Sequence, residues 1–477
     1  MRLQSDSWLG RGGVVLRWLL PVAALLLGVT LLVQPVAPRI AAGEADKAGS
    51  GRSLAGQLTV EGQPAPSGRN AGFDRARLWS EFDDWEPAIA ADPSSAYVYQ
   101  LTTRYDGPPA CPDCGLPVIV FRRSADGGAT WQPDRPLIAT RRTQNDPMIE
   151  VAYDGTIFVA WLNGYTPGVR FMKSSDRGDT WTTPVNVIDL FYRRRWSDRP
   201  VLAISADGVH IYIAFNASHS YLVASHDGGA TWGRPVRTND DKRYWFHSAG
   251  AVAPPSADAP NGAVYFGAVD YSQSYRGESR ISVLRSADGG ATWQTIPLDV
   301  SAEMPLCDWA AGCYFGFLGP SIGLAVDGRG TLLAAYHTGA APGEPQRMVV
   351  RRSADGLTWE PRQALSAETL EHNAFPAVTA GPRPGDFRVA WQGSFDGRPD
   401  AWNTWYRRST DGGRTWDRPA RLSDVATGAP YHHADGYVFP YGDYIEMAVD
   451  GRGRSHVVWG EGLSYVGPGG TWYTRGR

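Results

Sequence analysis

One short phrase recurs through this chain of 477 residues and limits what it can fold into. Ser124-Ala-Asp126-Gly-Gly128-Ala-Thr130-Trp131 returns at Ser174–Trp181, Ser225–Trp232, Ser286–Trp293, Ser353–Trp359 (one residue short) and Ser409–Trp416. The shared pattern is Ser-x-Asp-x-Gly-x-Thr-Trp, and each residue type suits a tight turn between two strands. Asp and Ser side chains bond nearby backbone N–H groups, and Gly supplies a positive φ. Thr opens the next strand, and Trp buries a large surface against a neighbouring layer. Self-similarity at intervals of about 50 to 67 residues signals a repeat architecture with one structural unit per interval.

Within a unit the pattern reads as four short strands. In the second, Met148–Tyr153 runs to an Asp-Gly turn, Thr156–Trp161 follows, Val169–Ser174 enters the repeated phrase, and a fourth strand leaves it. Apolar and polar residues alternate over about five positions, and no long helical period interrupts them. The fold class expected is all-β.

The phrase resembles the Asp-box of the sialidase-like β-propellers, and the likeness covers nearly everything after residue 72. It implies a ring of four-stranded antiparallel blades, with Asp126, Asp176, Asp227, Asp288, Asp355 and Asp411 as structural turn residues. Sialidases have six blades, which is the alternative for this chain. The C-terminus argues for seven. After the sixth Asp-box come Tyr444–Val449, Ser455–Gly460 and then Gly470-Thr-Trp472-Tyr-Thr-Arg475, which matches the third strand Asn403-Thr-Trp405-Tyr-Arg-Arg408. The last unit therefore lacks a fourth strand. Phe73-Asp-Arg-Ala-Arg-Leu78 resembles the fourth strand Trp416-Asp-Arg-Pro-Ala-Arg-Leu422, so the expectation is a seven-bladed ring closed by the N-terminal strand.

Ahead of the ring, Arg2, Arg11 and Arg17 precede an apolar run from Trp18 to Pro38. Residues 1–38 read as a signal peptide or an N-terminal membrane anchor, and 39–72 as a flexible Ala/Gly/Ser/Pro linker before the propeller at 73–477. Either reading of the first segment puts the ring outside the cytoplasm, secreted or anchored to the cell membrane. A net charge of −3 offers no basic field for nucleic acid. A monomer is expected. Cys111/Cys114 and Cys307/Cys313 read as two loop disulfides, with a four-cysteine zinc site or a redox pair as alternatives. No cofactor is expected, and no motif backs a bound cation such as calcium.

In such a ring the Asp-boxes occupy one face, and ligands bind at the channel mouth on the other. Aligning the starts of the innermost strands gives Asp84, Asp146, Asp198, His247, Gly319, Asn373 and Asp443, with four carboxylates at the mouth. Crowded carboxylates raise one another's pKa or attract a cation. Trp85, Arg195, Trp196, Arg199, Trp245, His247, Asn373 and His432 are the ligand-binding candidates, since aromatics stack on sugars and Arg forks match carboxylates. The family attacks with a Tyr activated by a Glu, protonates with an Asp, and binds the sugar carboxylate with three Arg. Tyr444, with Tyr441 as a rival and Glu461 nearby, is the loose counterpart of the nucleophile. Where the family carries Arg-Ile-Pro, this chain has Trp85-Glu86-Pro87, a departure. Three functions follow: a propeller binding a glycan or extracytoplasmic protein; a sialidase-like glycoside hydrolase using Asp84, Asp146, Asp198, Asp443 or Tyr444; or an assembly scaffold for a membrane complex.

Overall fold

A computed structural model describes residues 72–79, 82, 84–107, 111–164, 168–187, 198–217, 219–239, 244–273, 276–303, 321–366, 373–394, 402–423, 445–462 and 469–476. These form seven four-stranded antiparallel sheets, each ordered from an innermost to an outermost strand. The innermost strands are Asp84–Ala91, Asn145–Val151, Asp198–Ile204, Tyr244–Val252, Ile322–Val326, Asn373–Ala380 and Ile445–Val449. Together they line a central channel. The six phrases sit between third and fourth strands, as expected.

The seventh sheet takes its outermost strand from the other end of the chain. Arg77 pairs with Tyr473 and Leu78 with Trp472, and Phe73 makes a further bridge to Gly476. The ring is thus a seven-bladed propeller closed by its N-terminal strand. Segments 1–71 lie outside the described residues, as do Cys307 and Cys313. Cys111 and Cys114 form the expected loop disulfide.

Strand alternation divides each blade's core between two seams. In the third blade Ile211, Ile213 and Phe215 pack against the second blade, while Tyr212 and Ala214 turn to the fourth. Middle strands are consequently apolar along both faces, as fully buried strands must be. The closing seam differs, because its apolar cluster is small: Ile89, Val98, Val458 and Tyr473. Aromatics and ions supplement it. Trp79, on the closing segment, lies 4.9 Å from Tyr473 and 5.0 Å from Trp131, and the Arg122 guanidinium sits 5.4 Å over the Trp79 ring.

Each Asp-box also ties its blade to the one before. A Cβ on Gly178 would come within 2.8 Å of the Phe121 ring in the preceding blade, and Trp181 packs edge-on to the same ring at 5.6 Å. Within the turn, the Asp176 carboxylate accepts bonds from the Ser174 hydroxyl (2.8 Å), the Thr180 N–H (2.8 Å) and the Thr180 hydroxyl (2.5 Å). The Thr180 hydroxyl, then its N–H and the Ser174 hydroxyl, bring the Asp176 pKa down to about 2. A lowered carboxyl pKa adds stability above the unfolded value near 4, and that stability is lost as pH falls toward 2. The melting temperature of Asp176→Asn should therefore lie below the parent's at pH 6, with the gap closing between pH 4 and 2. A gap that does not change with pH would contradict this.

Candidate functional site

Neighbouring strands alternate in direction, so the innermost strands begin on the face opposite the Asp-boxes. Four of them begin with the same irregularity. Glu86, Asp146, Arg199 and Phe375 each adopt a positive φ (52°, 53°, 39° and 52°), and a proline follows each one. In each case the register to the second strand shifts across this position, as in a β-bulge. Positive φ in a non-glycine residue costs about 1–3 kcal/mol and persists only where surrounding structure enforces it. Such bulges often sit beside functional sites, where they re-aim side chains. In the first three blades, which are consecutive, the strained residue is ionisable.

These residues are tied together. The Glu86 carboxylate accepts the Tyr105 hydroxyl at 2.6 Å through one oxygen and the Asp146 N–H at 2.9 Å through the other. Arg199 lies 4.7 Å over the Phe246 ring. Asp146, Arg199, Ser248 and Glu446 line a chamber of about 30 Å³, enough for one or two waters. Below it the channel widens to about 340 Å³.

Two further carboxyls face the channel, and the sequence reading missed both. Glu150 and Glu446 keep slight exposure to the lumen while protein encloses them all around. Burial pushes Glu150 up to about 7. Burial also pushes Glu446 up to about 8, opposed by the bond that its carboxyl accepts from Ile89 N–H at 3.0 Å; the Glu150 charge raises it further and Arg199 lowers it. That bond joins the last blade to the first inside the channel. At neutral pH Glu446 is mainly a neutral acid, able to donate a proton.

The structure places the sequence candidates unevenly. Asp146 and Arg199 line the chamber, Asp146 nearly fully buried there and Arg199 half-buried. Asp198, one residue before the Arg199 bulge, is half-buried. Asp84 is not at the mouth, which corrects the four-carboxylate collar. It is fully buried, and Arg104 (2.7 and 3.0 Å) and Arg122 (3.2 Å) neutralise it, with Asp134 completing the cluster. Trp85 and Trp245 are core residues. His247 is buried against the Ser220 hydroxyl at 2.8 Å, and burial, with Arg199 nearby, lowers its pKa to about 3. Asn373 spends its amide on the Gln346 carbonyl and the Trp391 indole. None of Trp85, Trp245, His247 and Asn373 presents more than a sliver of surface to a ligand. Arg195, Trp196, His432, Asp443 and Tyr444 lie outside the described residues, as do Tyr441 and the Glu461 side chain. Among the described residues no group of three or more His, Cys, Asp or Glu is arranged to hold a metal.

The raised Glu446 pKa has a measurable consequence. Above the unfolded value near 4.5, folding keeps the proton that the unfolded chain loses, so this group's contribution to stability falls until pH passes about 8. Gln keeps the acceptor oxygen without the charge. Glu446→Gln should melt close to the parent at pH 4 and progressively above it toward pH 8. A difference independent of pH would refute the assignment.

No protein-family profile matches the chain. It is 24% identical over 418 residues to a sialidase of Micromonospora viridifaciens, covering 75% of this chain and 59% of the relative. It is 28% identical over 268 residues to a xyloglucanase of a Paenibacillus species, covering 52% of this chain and 23% of the relative. The chain thus spans less than two thirds of either protein. Among solved structures it is similar to the Ruminococcus gnavus intramolecular trans-sialidase complexed with oseltamivir carboxylate (12% identical, covering 88% of this chain and 97% of that one, TM-score 0.43). It is also similar to YCF48 bound to a D1 peptide (12%, 88% and 98%, TM-score 0.45). With Asp-box turns pinning blade to blade around a closed ring, the chain is a seven-bladed Asp-box β-propeller whose sequence is similar to that of a sialidase.

Proposed function

We propose that the chain is an extracytoplasmic propeller that binds a glycan at the channel mouth opposite the Asp-boxes. One observation carries this reading: three consecutive blades spend backbone strain to set Glu86, Asp146 and Arg199 at one rim, beside a water-sized chamber. Carboxylates and a guanidinium on rigid strands suit sugar hydroxyls, which both donate and accept hydrogen bonds. The basic N-terminus followed by the apolar run at 18–38 supports the location.

A second reading, glycoside hydrolysis, is favoured by a specific contact. The Tyr105 hydroxyl donates to Glu86 at 2.6 Å, beside Asp146, so a phenol with an adjacent base and a second carboxyl share the rim. Glu446, kept protonated, lines the adjoining chamber. Hydrolysis would need two of these groups to flank one glycosidic bond.

Binding to a panel of soluble glycans, and release from aryl glycosides including a sialoside, tests both readings. The variants are Asp146→Asn, Glu86→Gln and Tyr105→Phe. The binding reading expects the parent to retain a glycan, Asp146→Asn to weaken it about tenfold or more, and no release by any variant. Release by the parent that Asp146→Asn or Tyr105→Phe abolishes would move the function to hydrolysis. A parent that neither binds nor releases, or affinity unchanged in every variant, would overturn the site.

A further inference from the structure

A second constellation lies on the opposite, Asp-box face. His210 and His226 stand directly across from one another at the end of the hairpin Ile211–Asn216 and Ser220–Ser225, one position beyond the pair Ile211↔Ser225. Their rings are 5.1 Å apart, and the two Nδ1 atoms approach to 2.9 Å. His226 is exposed and His210 partly so.

The repeats provide an internal comparison, because the same cross-strand position exists in other blades. It holds Tyr97 with Ala125, Thr156 with Ser175, Ala263 with Ala287, Thr331 with Ala354, and Asp386 with Thr410. Three of these blades hold only small residues there and none faces two imidazoles, so the histidine pair is an addition that the turn does not require. Both partners are also held in place. The His210 main-chain N–H donates to the Ser205 hydroxyl at 2.9 Å, and His226 lies inside an Asp-box whose Ser225 hydroxyl donates to Asp227 at 2.8 Å. Gly289 of the next blade leaves room for the His226 ring, since a Cβ there would come within 3.1 Å of it.

We propose that His210 and His226 form a two-imidazole site for a divalent transition cation, copper(II) first. Metal–imidazole bonds are about 2.0–2.1 Å, so two nitrogens 2.9 Å apart subtend roughly 90° at a shared ion. That angle is the adjacent-ligand angle of tetragonal copper(II) or nickel(II), and it is tighter than tetrahedral zinc requires. Copper(II) also binds nitrogen ligands most strongly of the divalent first-row series. Exposure leaves the other coordination positions to water. Burial, then the neighbouring His226, lowers the His210 pKa, while Asp207 opposes this. In the metal-free pair one Nδ1 carries the shared proton. Binding needs that proton only to move to Nε2 of the same ring, so two neutral imidazoles bind a cation without releasing a proton. The site is independent of the mouth and of the reading given to it.

The test uses the full chain, free of any histidine tag and stripped with EDTA, titrated with copper(II) chloride in a non-coordinating buffer. Calorimetry should show one equivalent bound, and electron paramagnetic resonance should show splitting from two equatorial nitrogens. His226→Ala, which installs the residue that three other blades carry, should melt within a few degrees of the parent without metal. It should lose affinity at least tenfold together with the two-nitrogen signature. His210→Gln should do the same and stands in if the alanine variant misfolds. Equal affinity and spectra in parent and variants, or no copper bound by the parent below about 1 mM, would overturn the site.

Discussion

A small four-stranded sheet has two faces that must be covered, and this chain covers both faces of every blade by bending back on itself. Every blade is too small to bury its own apolar surface. The middle strands are apolar on both sides because they serve two seams, as the split of Ile211, Ile213 and Phe215 from Tyr212 and Ala214 shows. Such a stack is stable only if the first and last blades also meet. Pairing Arg77–Leu78 with Gly469–Gly476 makes one blade from the two ends of the described chain. The seam that results carries the fewest buried apolar residues, and stacked aromatics and the Asp84–Arg104–Arg122–Asp134 cluster reinforce it.

Closing the ring turns seven innermost strands toward a common lumen, and those strands have main-chain groups with no further strand to pair with. Side chains take up some of that bonding. Glu446 accepts from Ile89 N–H across the closing seam, and Ser248 both donates to and accepts from the main chain of Ile322. A carboxyl used this way is buried beside another, which raises its pKa and makes it chemically distinct from the Asp-box carboxylates. Asp-box acids and channel acids in this chain thus differ by environment. The Asp-box aspartates accept several local bonds and are held ionised, whereas the channel glutamates are held toward neutrality.

Much of the fold was legible because it rests on local turn chemistry repeated many times. Ser, Asp, Gly, Thr and Trp at fixed offsets specify the turn, and the match between the segments at 73–78 and 416–422 marks the displaced strand. The site was less legible. Lining up the first residues of inner strands set Asp84, Asp146 and Asp198 as equivalents, three, one and two positions before a proline, but the bulges place the equivalence at the residue just before it. The shared signal was the proline itself: Pro87, Pro147, Pro200 and Pro376 put Glu86, Asp146, Arg199 and Phe375 in register. Asp84 lies two residues before Glu86, where strand alternation and two arginines draw it into the core. Glu150 and Glu446 left no local sign, because facing a lumen instead of a core is a property of the closed ring.

Closure is the claim on which the channel, its mouth and its buried acids all rest. Deleting residues 73–79 from the full chain, and following thermal unfolding beside the parent, tests it most directly. The account predicts a single cooperative transition lowered by about 10 °C or more, with concentration-dependent association as the bared strand Gly469–Gly476 seeks a partner. A shortened chain that stays monomeric and melts with the parent would contradict it.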